Sequence, residues 1–300
     1  MEPSGILIIN KPEGMTSHDV VNKVRRLFST RRVGHTGTLD PMASGVLVVL
    51  VGRAAKAAEY ISNSKKAYIA TLRLGTTYDT QDITGTPLKI SKDIPTQDEV
   101  ISVVNTFSGD IMQVPPMYSA LKVNGQKLYD LARKGIEIER EARPITVYSI
   151  SVTPTQSHTD YILSVDCSAG TYIRTLCEDI GNALGCGGAM ATLKRTLAGG
   201  FDIEHSYTLE EIEALTEEKR HALLHPTEEL FFDLKQIKLP TFYEKLSRNG
   251  CEIYLKKIGC DLPFGERVRL CSQNGDFYAL GEVKEYENGK AIKAIKLFDI

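Results

Sequence analysis

No run of about 18 apolar residues occurs anywhere in this 300-residue chain, and the sequence therefore predicts no membrane-spanning helix. The first residues lack the basic segment and apolar stretch of a secretory signal. None of the six cysteines belongs to a C-x-x-C pair, which argues against a zinc ribbon or a thioredoxin motif. We therefore expect a cytoplasmic protein with reduced thiols.

An excess of positive charge is also missing, because the formal net charge is −2, and this value alone argues against a nucleic-acid-binding protein. The distribution is uneven, however. Residues 1–75 contain 11 Lys and Arg against 5 Asp and Glu, whereas residues 204–235 contain 3 against 9. The front of the chain could face a polyanion or form only a solvated basic face, and both interpretations stay open.

The patterns of common metal and nucleotide sites are absent as well. Asp82 lies in a D-x-x-D-x-x-G stretch, but Ile83 occupies a position where an EF-hand needs a ligand. His221 and His225 are four residues apart without the glutamate of a zinc-protease motif. No G-x-G-x-x-G sequence occurs near residues 185–188. We therefore expect no metal and no cofactor.

Strand-like and helix-like segments are interleaved along the chain, which predicts an α+β fold with a mixed, largely antiparallel sheet. The predicted strands are at residues 5–10, 46–51, 66–74, 111–114, 118–123, 146–153 and 161–167. The predicted helices follow Thr16 and Thr96 and also cover residues 54–61, 126–134 and 172–184, with an acidic helical stretch near 208–235. Residues 75–85 are predicted to form a polar loop.

The last part of the chain has a different character. Short strand patterns and turn sequences near residues 273–276 and 287–290 predict a small β-rich domain. We therefore divide the chain into a first domain at residues 1–235 and a second at residues 236–300.

The segment at residues 31–45 is too long and too rich in glycine to be a simple connection. Arg31 and Arg32 stand at the start of this segment and are suited to bind phosphate. A carboxylate such as Asp40 at its centre is unfavourable for binding nucleic acid, unless that carboxylate has a chemical role. From these residues alone, Asp40 is equally interpretable as a cap or turn residue. Tyr68 on its apolar strand face is interpretable as a core aromatic, and Arg174 as an exposed arginine.

Six sequence blocks in a fixed order resemble the TruB family of tRNA pseudouridine synthases, of the bacterial type. They are INKPEGMTS at residues 9–17, GHTGTLDP and ASGVL within 34–47, KAY and LRLG within 66–75, TQDITG at 80–85, VPPMYSALK at 114–122 and GTYIRTL at 170–176. The resemblance implies the pseudouridine synthase fold, with helices and loops around a central cleft and a PUA-like RNA-binding domain at the C-terminal end.

The resemblance also implies a reaction, the conversion of uridine 55 in the T loop of tRNA to pseudouridine. The N1–C1′ bond breaks, the base turns, and C5 joins C1′, so that no atoms are gained or lost and no redox cofactor is needed. Asp40 is the implied nucleophile, attacking either C1′ or C6. Tyr68 is implied to stack on the flipped base and to assist removal of the C5 proton. Arg174 is implied to pair with Asp40, and we expect this pairing to lower the carboxyl pKa.

The implied partner is tRNA, recognised through the shape of its T arm by a monomer that acts without a guide RNA. An RNA-clasping insertion is expected near residues 110–145, with its centre at 126–141. His35 is expected to fill the gap left by the flipped base. The remaining residues expected to shape the site or bind substrate are Lys11, Pro12, Gly37, Thr38, Leu39, Arg31 and Arg32, with Lys65 and Lys66 as weaker candidates.

Two other functions compete with this one. A noncatalytic RNA-binding or tRNA-folding chaperone of the same fold would bind RNA without forming product. An unrelated hydrolase with an aspartate nucleophile would need a phosphate or halide site, and no D-x-D-x-T-like segment supports it.

Overall fold

The protein is described by a computed structural model over residues 2–61, 65–119, 121–123 and 125–298. The model confirms the predicted α+β class and the mixed, largely antiparallel sheet. Across these ranges, every helix is too short or too polar to span a lipid bilayer.

The strands, in chain order, are β1 (Gly5–Lys11), β2 (Val33–His35), β3 (Ser44–Val51), β4 (Lys66–Leu74), β5 (Thr76–Tyr78), β6 (Pro87–Ile90), β7 (Gly109–Gln113), β8 (Lys122–Val123), β9 (Gln126–Lys127), β10 (Arg143–Pro154), β11 (Asp160–Cys167), β12 (Gly188–Ala198), β13 (Phe201–Asp202), β14 (Lys235–Lys238), β15 (Ile253–Tyr254), β16 (Arg267–Cys271), β17 (Phe277–Tyr286) and β18 (Gly289–Leu297).

The α-helices are α1 (Ser17–Leu27), α2 (Gln97–Asn105), α3 (Leu128–Ala132), α4 (Ile173–Ala183), α5 (Leu209–Ala214), α6 (Glu217–Ala222) and α7 (Thr241–Arg248). Segments of 3-10 helix cover Gly52–Tyr60, Ile203–His205, Thr227–Phe231 and Leu255–Lys257.

The large sheet has the strand order β1-β3-β12-β4-β11-β10-β7, with β2 beside β3 and β13 beside β12. Its pairs are antiparallel except for β3 with β12, which run parallel. Strand β3 is almost completely buried, which explains why its sequence is a continuous run of Val and Leu rather than an alternating pattern. The sheet thereby places the residues after β2 and at the start of β4 next to each other.

The first helix is specified locally. The Thr16 hydroxyl accepts a hydrogen bond from the Asp19 amide, and the Asp19 carboxylate accepts one from the Thr16 amide, which forms a reciprocal capping box. Val20, Val21 and Val24 then face the core at helical spacing. The same capping arrangement at Thr96 and Glu99 begins α2 where the sequence predicted it.

A second sheet with the order β14-β16-β17-β18-β15 lies in the C-terminal part. It shares a hydrophobic cluster with the large sheet, in which Leu280 and Phe298 join Ile6, Val46 and Leu50. The second sheet begins at Lys235, close to the predicted boundary. Because the apolar cluster continues across both sheets, the division into two domains at residue 235 stays a prediction.

Several local predictions were wrong. The predicted loop at residues 75–85 contains β5, which pairs with β6. In the predicted strand at 118–123, Ala120 lies outside the described residues, and of the others only Lys122–Val123 forms a strand. The helix predicted at 54–61 is present as a 3-10 helix, which covers Gly52–Tyr60. Strand β12, which joins the two halves of the large sheet, was not predicted, because its Gly-Gly and Ala-rich start carries a weak strand pattern.

Gly45 is required where β3 meets β12. Its φ is +101°, and an added Cβ would lie 2.1 Å from the Arg195 carbonyl oxygen. Gly109 has the same φ, with nothing within 4 Å of such a Cβ. We expect Gly45→Ala to lower the free energy of unfolding by more than Gly109→Ala, which should cost only the backbone strain of about 1–3 kcal/mol. Urea denaturation followed by circular dichroism measures both, and equal losses would show that the close approach at Gly45 is unimportant.

Candidate active site

A cavity of about 710 Å³ opens beside the large sheet and is large enough to hold one nucleotide. Its walls come from residues 38–42, the beginning of β4, the loop at 80–84, residues 118, 119, 129 and 133, the turn at 170–174, and Leu193 on β12. These segments are far apart in the sequence, and five of the resembling blocks contribute to the walls.

Asp40 and Arg174 form an ion pair in this cavity. The Arg174 Nε atom lies 2.9 Å from Asp40 Oδ2, and Nη2 lies 3.4 Å from Oδ1, so that the contact uses two guanidinium nitrogens. The Arg174 side chain is almost completely buried, whereas about a third of the Asp40 side chain remains exposed. Arg174 therefore holds the carboxylate on its buried side, and the opposite side of the carboxylate is accessible from the cavity.

The same guanidinium joins three loops. Nη1 donates to the Thr80 carbonyl at 3.1 Å, and Nη2 donates to the Tyr118 carbonyl at 2.7 Å. Asp82 is a second, more distant acid, 4.0 Å from Nη1. Asp82 is almost buried and accepts hydrogen bonds from the Thr84 amide and hydroxyl and from the Thr80 hydroxyl. Arg174 therefore sets the positions of the Asp40 loop, the 80–84 loop and the segment around Tyr118 together.

The pairing with Arg174 lowers the pKa of the Asp40 carboxyl, as expected, but the net change in this pKa is an increase. Burial raises the pKa of the Asp40 carboxyl above its ordinary value, and the negative charge of Asp82 raises it further. Arg174 and Lys11 act in the opposite direction but do not outweigh burial. The ion pair limits a pKa increase that the cavity imposes, rather than producing a pKa decrease.

This direction predicts the acidic side of the pH profile. If ionised Asp40 is needed for turnover, kcat/KM should fall as pH decreases through a pKa above the ordinary aspartate value of about 3.9. Asp179 on α4 has its pKa raised to about 6 by burial and must be distinguished from Asp40. We expect Asp179→Asn to leave the acidic limb unchanged in steady-state assays. If the acidic limb of the pH profile disappears in Asp179→Asn, the group that titrates is Asp179 and not Asp40.

Tyr68 lies on the cavity wall at the start of β4, with only 6% of its surface exposed. Its strand face is shared with Ala70, Leu72 and Leu74, all buried, as the alternation predicted. Burial raises the pKa of its hydroxyl. The ring therefore belongs to the edge of the core and also offers a surface to the cavity.

Lys11 is completely buried under the Asp40 loop. Its ammonium donates to the carbonyls of Pro12 and Met15 at 2.7 Å and of Pro41 at 3.3 Å. Burial lowers the pKa of Lys11 to about 8, although the Asp40 charge opposes this decrease. Lys11 thus connects the end of β1 to Pro12 and to the residue directly after Asp40. Neither Lys11 nor Pro12 lines the cavity, and their role in shaping the site stays a prediction.

The residues before Asp40 are placed differently from one another. Thr38 and Leu39 line the cavity, and the Leu39 backbone is held by the Ser17 hydroxyl, which accepts from its amide at 2.8 Å and donates to its carbonyl at 3.0 Å. His35 ends β2, and its Nδ1 accepts from the Gly37 amide at 3.3 Å. Burial and the Arg195 charge lower the pKa of His35, which favours a neutral ring. His35 and Gly37 stand beside the cavity wall and do not form part of it.

Arg31 and Arg32 are exposed and lie away from the cavity lining. Arg32 forms an ion pair with Glu2 at 3.3 Å. Of the two weaker lysine candidates, Lys66 lines the cavity and Lys65 pairs with Asp166 at 2.6 Å. The assignment of Arg31 and Arg32 to phosphate binding stays a prediction.

Four functional candidates were missed in the sequence. Tyr129 and Arg133 reach the cavity from the expected insertion, but their position depends on how that segment folds back. Asp82 was recognised in its motif without a role. Arg195 is buried beside the site, and the alternation of Ala191, Leu193 and Arg195 on one strand face is the signal that could have revealed it.

Comparison with known proteins identifies relatives of this chain. A family model described as "TruB family pseudouridylate synthase (N terminal domain)" matches residues 25–173, and "tRNA pseudouridylate synthase B C-terminal domain" matches residues 174–231. Relatives named tRNA pseudouridine synthase B include a protein of Clostridium kluyveri, 45% identical over 98% of this chain and 99% of its own length. One of Alkaliphilus oremlandii is 42% identical over 98% of each chain.

A solved structure is also similar. In the "Crystal Structure of a Cbf5-Nop10-Gar1 Complex", one chain is 27% identical with a TM-score of 0.76, over 98% of this chain and 84% of that chain.

Proposed function

The chain belongs to the TruB family of pseudouridine synthases, and on that premise we propose that it isomerises uridine 55 in the T loop of tRNA to pseudouridine. The observation that carries this proposal is the Asp40–Arg174 ion pair, held inside a nucleotide-sized cavity with Tyr68 on its wall. A carboxylate that is buried on one side and accessible on the other is suited to attack a base or sugar that has left its stack.

Asp40 acts as the nucleophile. It forms a covalent bond to C1′ or C6 of the target nucleotide, the N1–C1′ bond breaks, and the base turns so that C5 faces C1′. The C5–C1′ bond then forms, the bond to Asp40 breaks and returns the free carboxylate, the C5 proton leaves, and N1 gains a proton, so that the product is an isomer of the substrate. Arg174 orients the carboxylate through two nitrogens and favours its ionised form against burial.

Tyr68 provides the surface on which the flipped uracil stacks, and its hydroxyl assists removal of the C5 proton. This role is supported by the position of Tyr68, which lines the same cavity as Asp40. His35 fills the gap that the flipped base leaves in the RNA. The limited space in the cavity means that Asp40 reaches a base only after that base has left the stack.

The RNA is held by several segments around the cavity. Arg133 on the cavity wall offers a guanidinium to a phosphate, and the ring of Tyr129, 5.4 Å below it, offers a stacking surface. We assign the insertion at 110–145, Arg31, Arg32 and the C-terminal sheet, as a PUA-like domain, to binding of the T arm. The protein acts as a monomer and without a guide RNA.

Tritium release tests the proposal. Transcribed tRNA with uridine labelled at C5 is incubated with the purified protein alone, and the modified position is mapped by carbodiimide treatment and primer extension. Release that is lost when uridine 55 is replaced by cytidine is the expected result. Release that persists on this variant would place the reaction at another uridine. Binding of tRNA without any release would favour the noncatalytic RNA-binding protein.

A further inference from the structure

Arg195 is a cation in the interior of the protein, with 1% of its surface exposed. It lies on β12, next to the active-site cavity but behind its wall. Within the described part of the chain, no carboxylate forms an ion pair with it. A buried charge without an opposite charge is costly, so its presence requires another explanation.

The guanidinium is directed at backbone carbonyls. Nε donates to Val46 at 2.8 Å, Nη2 donates to Gly37 at 3.1 Å, and Nη1 approaches the Thr38 carbonyl at 3.4 Å. Gly37 and Thr38 lie three and two residues before Asp40, whereas Val46 belongs to the central strand β3. The guanidinium therefore connects the Asp40 loop to the buried strand β3.

These carbonyls do not by themselves require a charge, because a neutral amide side chain can also donate hydrogen bonds. The second neighbour of Arg195 supplies a reason for the charge. Tyr68 on β4 is its direct cross-strand partner, which places the guanidinium close enough to the phenol to influence its pKa. The titratable groups that act on Tyr68 come from three elements: Arg195 from β12, Cys167 from β11 and Asp40 from its loop.

Among these three groups, Arg195 alone favours the ionised phenol. Burial raises the pKa of Tyr68 most strongly, and Cys167 and Asp40 raise it as well, whereas Arg195 lowers it through its charge. Cys167 has its own pKa raised to about 11 by burial and is therefore a neutral thiol at neutral pH.

We propose that Arg195 is a positioning residue for the isomerisation, which holds the Gly37–Thr38 backbone against β3 and places a positive charge beside the Tyr68 hydroxyl. This inference rests on the proposed function, and in particular on the C5 proton step. In that step the C5–H bond breaks, its electron pair restores the C5–C6 double bond, and the proton passes to the Tyr68 oxygen. The Arg195 charge stabilises the phenolate that accepts this proton.

Two variants separate the charge of Arg195 from its fork geometry. Arg195→Lys keeps the charge and loses the fork, whereas Arg195→Gln keeps hydrogen-bond donors and loses the charge. Lys194 is adjacent on β12 but faces solvent, so Lys194→Gln removes the same charge from the same strand as a matched control.

The first measurement needs no turnover. The protein is labelled with 3-fluorotyrosine, and the signal of Tyr68 is identified among the 13 tyrosines by its loss in Tyr68→Phe. We expect the Tyr68 signal to titrate at higher pH in Arg195→Gln than in the wild type, and at the wild-type pH in Lys194→Gln. An unchanged titration in folded Arg195→Gln would overturn the electrostatic part of the inference.

The second measurement is turnover on tRNA. We expect kcat to fall by about 10²-fold in both Arg195 variants with little change in KM, because the Asp40 loop is misplaced only slightly. The rise of kcat with pH that reports ionisation of Tyr68 should move to higher pH in Arg195→Gln but not in Arg195→Lys. Wild-type kcat in either variant would exclude the positioning role, and identical pH profiles in both would exclude the role of the charge.

These outcomes are distinct from a failure of the proposed function. An inactive wild type would contradict the proposed function, whereas the fluorine titration still decides whether Arg195 acts on Tyr68. If Arg195→Gln does not fold, Arg195→Lys carries the test, since it must show a lowered kcat together with a wild-type Tyr68 titration.

Discussion

Replacing Asp40 with asparagine is expected to reduce tritium release by a factor of at least about 10⁴, while binding of tRNA is retained. The amide has nearly the shape of the carboxylate, but it cannot form and release an ester or a C6 adduct as a carboxylate does. Arg174 keeps its hydrogen bonds to the carbonyls of Thr80 and Tyr118, so the loops around the cavity stay connected.

On the same tRNA, single-turnover tritium release measures the rate of the reaction, and filter binding measures the affinity. Asp98→Asn is a suitable control, because Asp98 is an exposed aspartate in the first turn of α2, remote from the cavity lining. Turnover by folded Asp40→Asn within tenfold of the wild type would exclude Asp40 as the nucleophile and would require another group in the cavity.

Replacing Arg174 with methionine is expected to lower both activity and stability. Asp40 and Asp82 would share a buried region without their common cation, and the Thr80 and Tyr118 carbonyls would lose a donor. Removing one partner of a buried ion pair typically costs about 3–5 kcal/mol, and the partial exposure of Asp40 places our expectation at the lower end. We expect kcat/KM to fall by a factor of about 10³ or more, since the nucleophile loses its orientation.

The pH profile distinguishes an electrostatic role of Arg174 from simple unfolding. Arg174 is the largest influence that lowers the Asp40 pKa, so its removal leaves burial and Asp82 to raise that pKa further. The acidic limb of the residual activity should move to higher pH in Arg174→Met, whereas Arg174→Lys, which keeps the charge, should move it less. A lower rate with an unmoved limb would indicate that Arg174 only supports the loops.

A double variant tests whether the lost stability comes from repulsion between the two acids. Adding Asp82→Asn to Arg174→Met removes one of the two negative charges, and we expect it to recover part of the free energy of unfolding measured in urea. Asp82→Asn in the wild-type background should lack this benefit, because Arg174 is then present. Equal effects of Asp82→Asn in both backgrounds would show that the two sites are not coupled.

Much of the local structure followed directly from the sequence. The run of Val and Leu at 46–51 became the buried strand β3, the alternation at 66–74 placed Tyr68 on the inner face of β4, and Thr16 and Thr96 began helices through capping boxes. These features depend on neighbours within a few residues, and such neighbours are visible in a single sequence. The motifs likewise identified Asp40, Tyr68 and Arg174 as residues to consider together.

Other properties were decided only by the tertiary structure. Asp40 and Arg174 are 134 residues apart, and the direction of the Asp40 pKa depends on desolvation by all the segments that enclose the cavity. The sequence could identify Arg174 as an opposite charge that lowers the Asp40 pKa, but it could not weigh that charge against burial, which makes the net change an increase. Arg195 became visible only when β12 was seen to lie between β3 and β4. The residue types and local patterns thus determined which groups are available, whereas long-range packing determined their spacing, their burial and hence their acidity, because desolvation and Coulomb interactions depend on distances in space rather than along the chain.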